Sequence, residues 1–149
     1  MSDTRQRILD DIKIAMKAGD KPRLATLRLM SAAIKQIEVD QRIELDEPAT
    51  IAVLDKMLKQ RRESIEQYKK AERDDLIAVE QAELDEIQSY MPAALSQAEI
   101  DSAIDDAIAK TGAGSIKDMG KVMGMVKPAL QGKADMSAVS QAIKQRLNA

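Results

Sequence analysis

The chain has no cysteine and no histidine among its 149 residues. The first absence excludes a disulfide framework and thiol chemistry, including the cysteine nucleophile by which many glutamine-hydrolysing enzymes release ammonia. Both together exclude Ser-His-Asp and Cys-His nucleophile systems and ordinary zinc sites. Aromatic residues are almost as scarce: Tyr68 and Tyr90 are the only two, with no Phe or Trp. A core must therefore be built from Leu, Ile, Val, Ala and Met, and stacking of nucleobases on aromatic rings is not available as a source of affinity. No apolar run is long enough to span a bilayer, and the start of the sequence shows no charged-then-apolar signal pattern. These absences lead by default to a cytoplasmic protein without membrane contact. Proline and glycine are few, and five of the six glycines fall between Gly112 and Gly132.

Hydrophobic residues make up 44% and charged residues 32% of the chain, a balance that folds rather than stays disordered. The apolar spacing is helical throughout, with no alternating strand pattern and no internal repeat. Ser2 or Asp3 caps a first helix ending at Gly19, with Ile8, Ile12, Ala15 and Met16 as its stripe. Asp20 caps a second, with Pro22 in its first turn and Leu24, Leu27, Ser31, Ile34 and Ile37 on one face. Asp46 and Pro48 open a third, carrying Ile51, Leu54, Leu58, Ile65 and Tyr68. Arg73-Asp74-Asp75 marks a turn whose acids cap a fourth through Leu76, Val79, Leu84 and Ile87. Tyr90-Met91-Pro92 stops that helix, because the residue before proline avoids the helical region. Ser96-Gln97-Ala98-Glu99 is a capping box that opens another.

The expected fold is all-α: an N-terminal helical bundle or hairpin unit over residues 1–90, then a small three-helix tail domain over 96–149, joined by a hinge at Met91–Ser96. Lys56 to Arg73 is rich in basic residues interleaved with Glu63, Glu66 and Glu72. It reads as a solvated face with Arg62–Glu66 and Glu66–Lys70 pairs four apart, or else as a second basic patch for a polyanion.

The stretch from Gly112 to Asp135 is different in kind, with four lysines against the single acid Asp118 before its closing Asp135, in a chain of net charge −2. On one helix beginning after Ser115 as its cap, Ile116, Met119, Val122, Met123, Val126 and Leu130 share one side. Lys117, Gly120, Lys121, Gly124 and Pro128 share the other. The spacing fits no nucleotide loop: Gly114 and Gly120 are one residue too far apart for a P-loop, and Val122 stands where the metal-binding Ser/Thr belongs. A dinucleotide fingerprint fails because Lys117 occupies the third glycine position. No catalytic residues, metal ligands or cofactors are expected. Lysines beside bare backbone suit phosphate contact, with backbone donors at the helix starts after Gly114 and Asp135 adding to it. The candidate binding set for a phosphate-bearing partner, which the resemblance described next makes an RNA, is Lys117, Gly120, Lys121, Gly124, Lys127 and Lys133. The alternatives are a helix of the same chain packed over the glycines, or an adaptor surface receiving a partner helix.

Lys117-Asp118-Met119-Gly120-Lys121-Val122-Met123-Gly124, followed by Gly132-Lys133-Ala134-Asp135, resembles the signature of the GatB/YqeY tail domain. Lys59-Gln60-Arg61-Arg62-Glu63-Ser64-Ile65, Arg73-Asp74-Asp75-Leu76 and Tyr90-Met91-Pro92 through Leu95-Ser96 resemble its YqeY branch. Two positions depart from the pattern, Glu72 where glycine is common before Arg73 and Met136 where glycine often follows the Ala-Asp pair. The resemblance implies a tail module that reaches the elbow of a tRNA, with amidotransferase chemistry (carbon–nitrogen ligation with glutamine as nitrogen donor) carried by domains absent here. It implies tRNA or another structured RNA as partner rather than DNA, and an amidotransferase or aminoacyl-tRNA synthetase as a protein partner.

Overall fold

The helix starts of the computed structural model, which describes residues 2–148, are set largely by short polar side chains. Ser2 Oγ accepts from the Arg5 N–H at 3.1 Å and begins α1, Asp3–Ala18. Asp20 accepts from the Arg23 N–H and begins α2, Lys21–Gln41, with Pro22 in the first turn. Asp46 accepts from the Ala49 N–H and begins α3, Glu47–Lys70. The fourth helix, α4 (Asp74–Gln88), starts differently: Arg73 holds the cap position without a capping bond, and Asp75 pairs with Arg73 at 3.0 Å. The acids of that turn thus lie inside the helix rather than capping it. All secondary structure of any length among the described residues is helical, an all-α fold.

α1 with α2, and α3 with α4, form two helical hairpins that share one core of Ile8, Leu27, Met30, Ile34, Leu54, Leu58 and Ile87. Met16 and Val79, expected in this core, are exposed. Met16 lies about 80° around the helix from the Ile8 direction, and the shorter Ala15 takes the buried place. The linker between hairpins is fastened by polar contacts. Glu38, buried near the end of α2, accepts the Leu45 N–H at 2.9 Å and is ion-paired with Arg5 of α1. Ser2 donates to Thr50 at 3.0 Å inside the protein, and Thr4 bonds Glu47 through both its N–H and its hydroxyl.

Tyr90 closes the other end. It is buried, donates its hydroxyl to Asp11, lies under the Arg7 guanidinium at 4.9 Å and receives Arg23, which also holds Glu86 at 2.9 Å. Burial pushes the Tyr90 phenol well above its ordinary range, and the bond to the Asp11 carboxylate pushes it further the same way.

This first compact unit runs to Met91, and the second begins at Pro92. The second consists of α5 (Gln97–Thr111), a 3-10 turn (Ile116–Asp118), α6 (Met119–Leu130) and α7 (Met136–Asn148). Ile104, Val122, Val126, Leu130, Val139 and Ile143 form its core, with Met136 packed against them. Arg146 of α7 reaches α5, meeting the Asp101 carboxylate and carbonyl at 3.1 Å each, and Asp105.

Ser96 makes both halves of the capping box with Glu99, whereas Ser115 forms no side-chain capping bond. Leu95 donates its N–H to the Lys133 carbonyl at 2.9 Å, and Met91 packs on the first core. The stretch without such ties is therefore Pro92–Ala94, shorter than Met91–Ser96.

Three outcomes follow for stability. Ser96→Ala should cost about 1 kcal/mol in urea unfolding, the usual loss for a removed cap, and Ser115→Ala nearly nothing. A favoured neutral phenol contributes stability that is complete below the free tyrosine range, about pH 10, and fades as pH rises through it. Tyr90→Phe should accordingly lower the melting temperature at neutral pH and lose part of the fall seen in alkali, measured by circular dichroism. A broad-specificity protease should make its first cut within residues 92–94; first cuts inside α5 would count against the two-unit division.

Candidate nucleic-acid interface

The glycine–lysine stretch is two elements rather than one helix. The tighter 3-10 turn advances each residue further around the axis than an α-helix does. Ile116, expected on the apolar side, is consequently turned out to solvent. Lys117 also sits in this turn, beside α6 rather than on it. From Met119 onward the expected sides hold: Val122, Val126 and Leu130 are buried, and Gly120, Lys121, Gly124, Lys127 and Pro128 are exposed. Gly120, Gly124 and Lys127 are four and then three apart, which stacks them along one line of the helix, with Lys121 and Pro128 beside them. Met125, also exposed, borders the same strip.

A Cβ placed on Gly120 or Gly124 would meet nothing within 4 Å. No helix of their own unit covers these glycines, which narrows that alternative. Pro128 lies inside α6 and has no N–H to return to the Gly124 carbonyl four residues back. The strip therefore combines absent side chains with a carbonyl that lacks its usual helical donor.

The six candidate residues are not equally placed. Lys117, Lys121 and Lys127 are exposed, and none forms an ion pair among the described residues. Lys133 is half-buried in the turn after α6, where its backbone carbonyl holds Leu95. One backbone donor at each of the two expected places is occupied. Gly114 gives its N–H to Asp118 Oδ2 at 3.1 Å, and Ser137 gives its N–H to Asp135 Oδ1 at 3.0 Å. Carboxylates thus already fill the positions a phosphate would take, for the same electrostatic reason that a phosphate would be attracted there.

In Lys56–Arg73 four of the seven basic residues are engaged among the described residues. Arg61 faces Glu83 of α4 at 3.3 Å, Arg62 reaches Gln88, Lys69 pairs with Glu66 and Arg73 with Asp75. The Glu66 partner is Lys69, three residues on, and not Arg62 or Lys70. Sequence reading missed Arg61–Glu83, because nothing in helical spacing tells which acid of another helix stands opposite. Among the described residues no group of three or more acidic side chains is arranged to hold a metal, and no helix is long and apolar enough to cross a membrane.

Comparison with known proteins adds to this geometry. The chain is 32% identical over 147 residues to "Altered inheritance of mitochondria protein 41, mitochondrial" of Pyrenophora tritici-repentis, covering 96% of this chain and 80% of that one. The proteins of the same name from Eremothecium gossypii and Lachancea thermotolerans are 41% identical over 93 residues and 37% over 108. Those two matches cover 62% and 70% of this chain, and only 51% and 57% of the relatives. The cytoplasmic address is thereby corrected, since these relatives are named as mitochondrial. The absences it rested on exclude disulfides and membrane-spanning runs, which is a narrower matter than a compartment. Residues 5–147 match the family described as "Yqey-like protein", and the chain belongs to that family.

Proposed function

We propose that the exposed strip of α6 contacts RNA, taking tRNA or another structured RNA through its phosphates and riboses. The chain then acts as an accessory related to tRNA-dependent amidotransferases, with no catalytic site of its own. The observation that carries this reading is the open space over Gly120 and Gly124 between unpaired lysines. An exposed glycine inside a helix costs about 0.5–1 kcal/mol relative to alanine. On a face that no helix of its own unit covers, that cost is offset by something that approaches from beyond the unit. Lysines alongside supply the charge for a phosphate backbone, and shape rather than base sequence is what such a surface reads. The Gly124 carbonyl suits a hydroxyl donor, and the ribose 2′-hydroxyl is the donor that separates RNA from DNA. The likeness of Lys117–Gly124 and Gly132–Asp135 to the GatB tail signature supports the same partner. Without aromatic platforms the binding is modest and depends on salt.

A second reading has its own support. Two glycines four apart, bordered by exposed Met125, also form a surface on which a partner helix can pack closely. Charge and approach separate the two. Lys121→Glu should weaken tRNA binding and flatten its salt dependence by about one released counterion or more. Gly124→Leu should weaken binding with less change in slope. Gly124→Ala should raise stability by about 0.5–1 kcal/mol and still bind less well than the parent. Fluorescence anisotropy against tRNA at several salt concentrations, with a DNA hairpin of matched sequence and circular dichroism as controls, measures all three. Unchanged affinity in the folded variants would move the contact to Lys56–Arg73. No RNA binding at low salt would favour the helix partner.

A further inference from the structure

The outward face of α2 carries a second pattern, unrelated to α6. Ala25, Leu29, Ala32, Gln36 and Val39 are spaced four, three, four and three residues apart, and all are exposed. Leu29 is 47% and Val39 60% exposed, and Ile43, four further on, is 49% exposed. This is the a/d spacing of a coiled-coil seam on the side of the helix away from its own core. The core side is occupied by Leu27, Met30 and Ile34. A row of basic residues borders the seam at seven-residue intervals: Arg28, Lys35 and Arg42. All three are exposed, and none has an ion-pair partner among the described residues.

Arg42 adds an independent observation. It sits at φ 55°, the left-handed conformation in which glycine ordinarily ends a helix. A long cation kept at a strained position, in line with two others, indicates a use for its side chain.

We propose that this face of α2 docks an amphipathic helix whose flanking positions are acidic, its apolar residues lying in the Leu29–Val39 seam and its carboxylates facing Arg28, Lys35 and Arg42. A second copy of this chain fits poorly. Antiparallel pairing would set two basic rows against each other. Parallel pairing would give only Lys35 an acid, Asp40, which already accepts from Gln36 at 2.9 Å. A lipid surface fits poorly as well. The seam is narrow and contains two alanines, which favours close approach of a helix over immersion of a broad, bulky face.

The probe is a synthetic helix with Leu at a and d and Glu at e and g, titrated against the full chain by anisotropy. Its counterpart with Lys in place of Glu is the control. The Glu helix should bind, and the Lys helix should bind at least about tenfold more weakly. Leu29→Asp and Val39→Asp should abolish binding while circular dichroism stays unchanged, since both side chains face water. Arg42→Gly should raise the melting temperature, because glycine suits the backbone there, and weaken the Glu helix severalfold. A merely structural Arg42 would leave binding unchanged. Equal binding of both helices, or none, overturns the proposal. So does a chain dimer in sedimentation that Val39→Asp dissolves, which would make the occupant a second copy. Pelleting with phosphatidylserine vesicles that Leu29→Asp prevents would make it a membrane.

Discussion

A carboxylate removed from water must be met by charge and hydrogen bonds, and in the first unit that requirement fixes how its two hairpins join. Glu38 satisfies it with Arg5 on one side and the Leu45 N–H on the other. One side chain thereby ties the start of α1, the end of α2 and the linker into α3. Removing it would leave a cation and a backbone donor unanswered, a larger loss than the worth of the pair itself. The aliphatic core beneath supplies most of the driving force but little direction. With Tyr90 the one buried aromatic among the described residues of this core, polar ties at the ends do more of the specifying. The Asp11–Tyr90–Arg23–Glu86 group plays that part at the opposite end, and Arg146 with Asp101 and Asp105 does so in the tail.

The two surfaces singled out have opposite construction. On α6 the side chains are missing, so that backbone itself is offered between lysines. On α2 the apolar side chains are present and regularly spaced, with cations in one flanking row. The first suits a smooth polyanion whose phosphates need charge and close approach, and the second suits a body with its own side-chain periodicity. Neither surface has the buried, perturbed carboxylates or nucleophiles from which an active site is built.

Helical class was legible because it is written in local chemistry. Ser2, Asp20, Asp46 and Ser96 stand immediately before apolar periodicity, and each makes the capping bond its side chain permits. Most of the apolar stripes were legible for the same reason. What failed was phase and partnership. The 3-10 turn at Ile116–Asp118 shifted Ile116 and Lys117 off the α6 faces, and no residue type announces such a turn. Ser115 was a plausible cap by identity but forms no capping bond, while Asp118 is spent on Gly114. Glu38 carries no signal in the sequence, since only tertiary packing brings Arg5 and the Leu45 N–H to it. Glu72, where a glycine was expected, takes the left-handed conformation at φ 55° all the same, so the turn forms with some strain.

The composition of α6 has one more consequence. It is the shortest α-helix of the chain, twelve residues, with glycines at its second and sixth positions and a proline near its end. Each of these weakens the helical ladder, and they lie on the wet side where packing cannot make good the loss. Amide protons on that side should exchange with solvent well before those of α5 and α7. A ligand that settles on the strip would therefore also quieten it, so part of its binding free energy goes into ordering the helix and appears as unfavourable entropy. The same softness that lets a partner approach the backbone thus limits how tightly any partner is held.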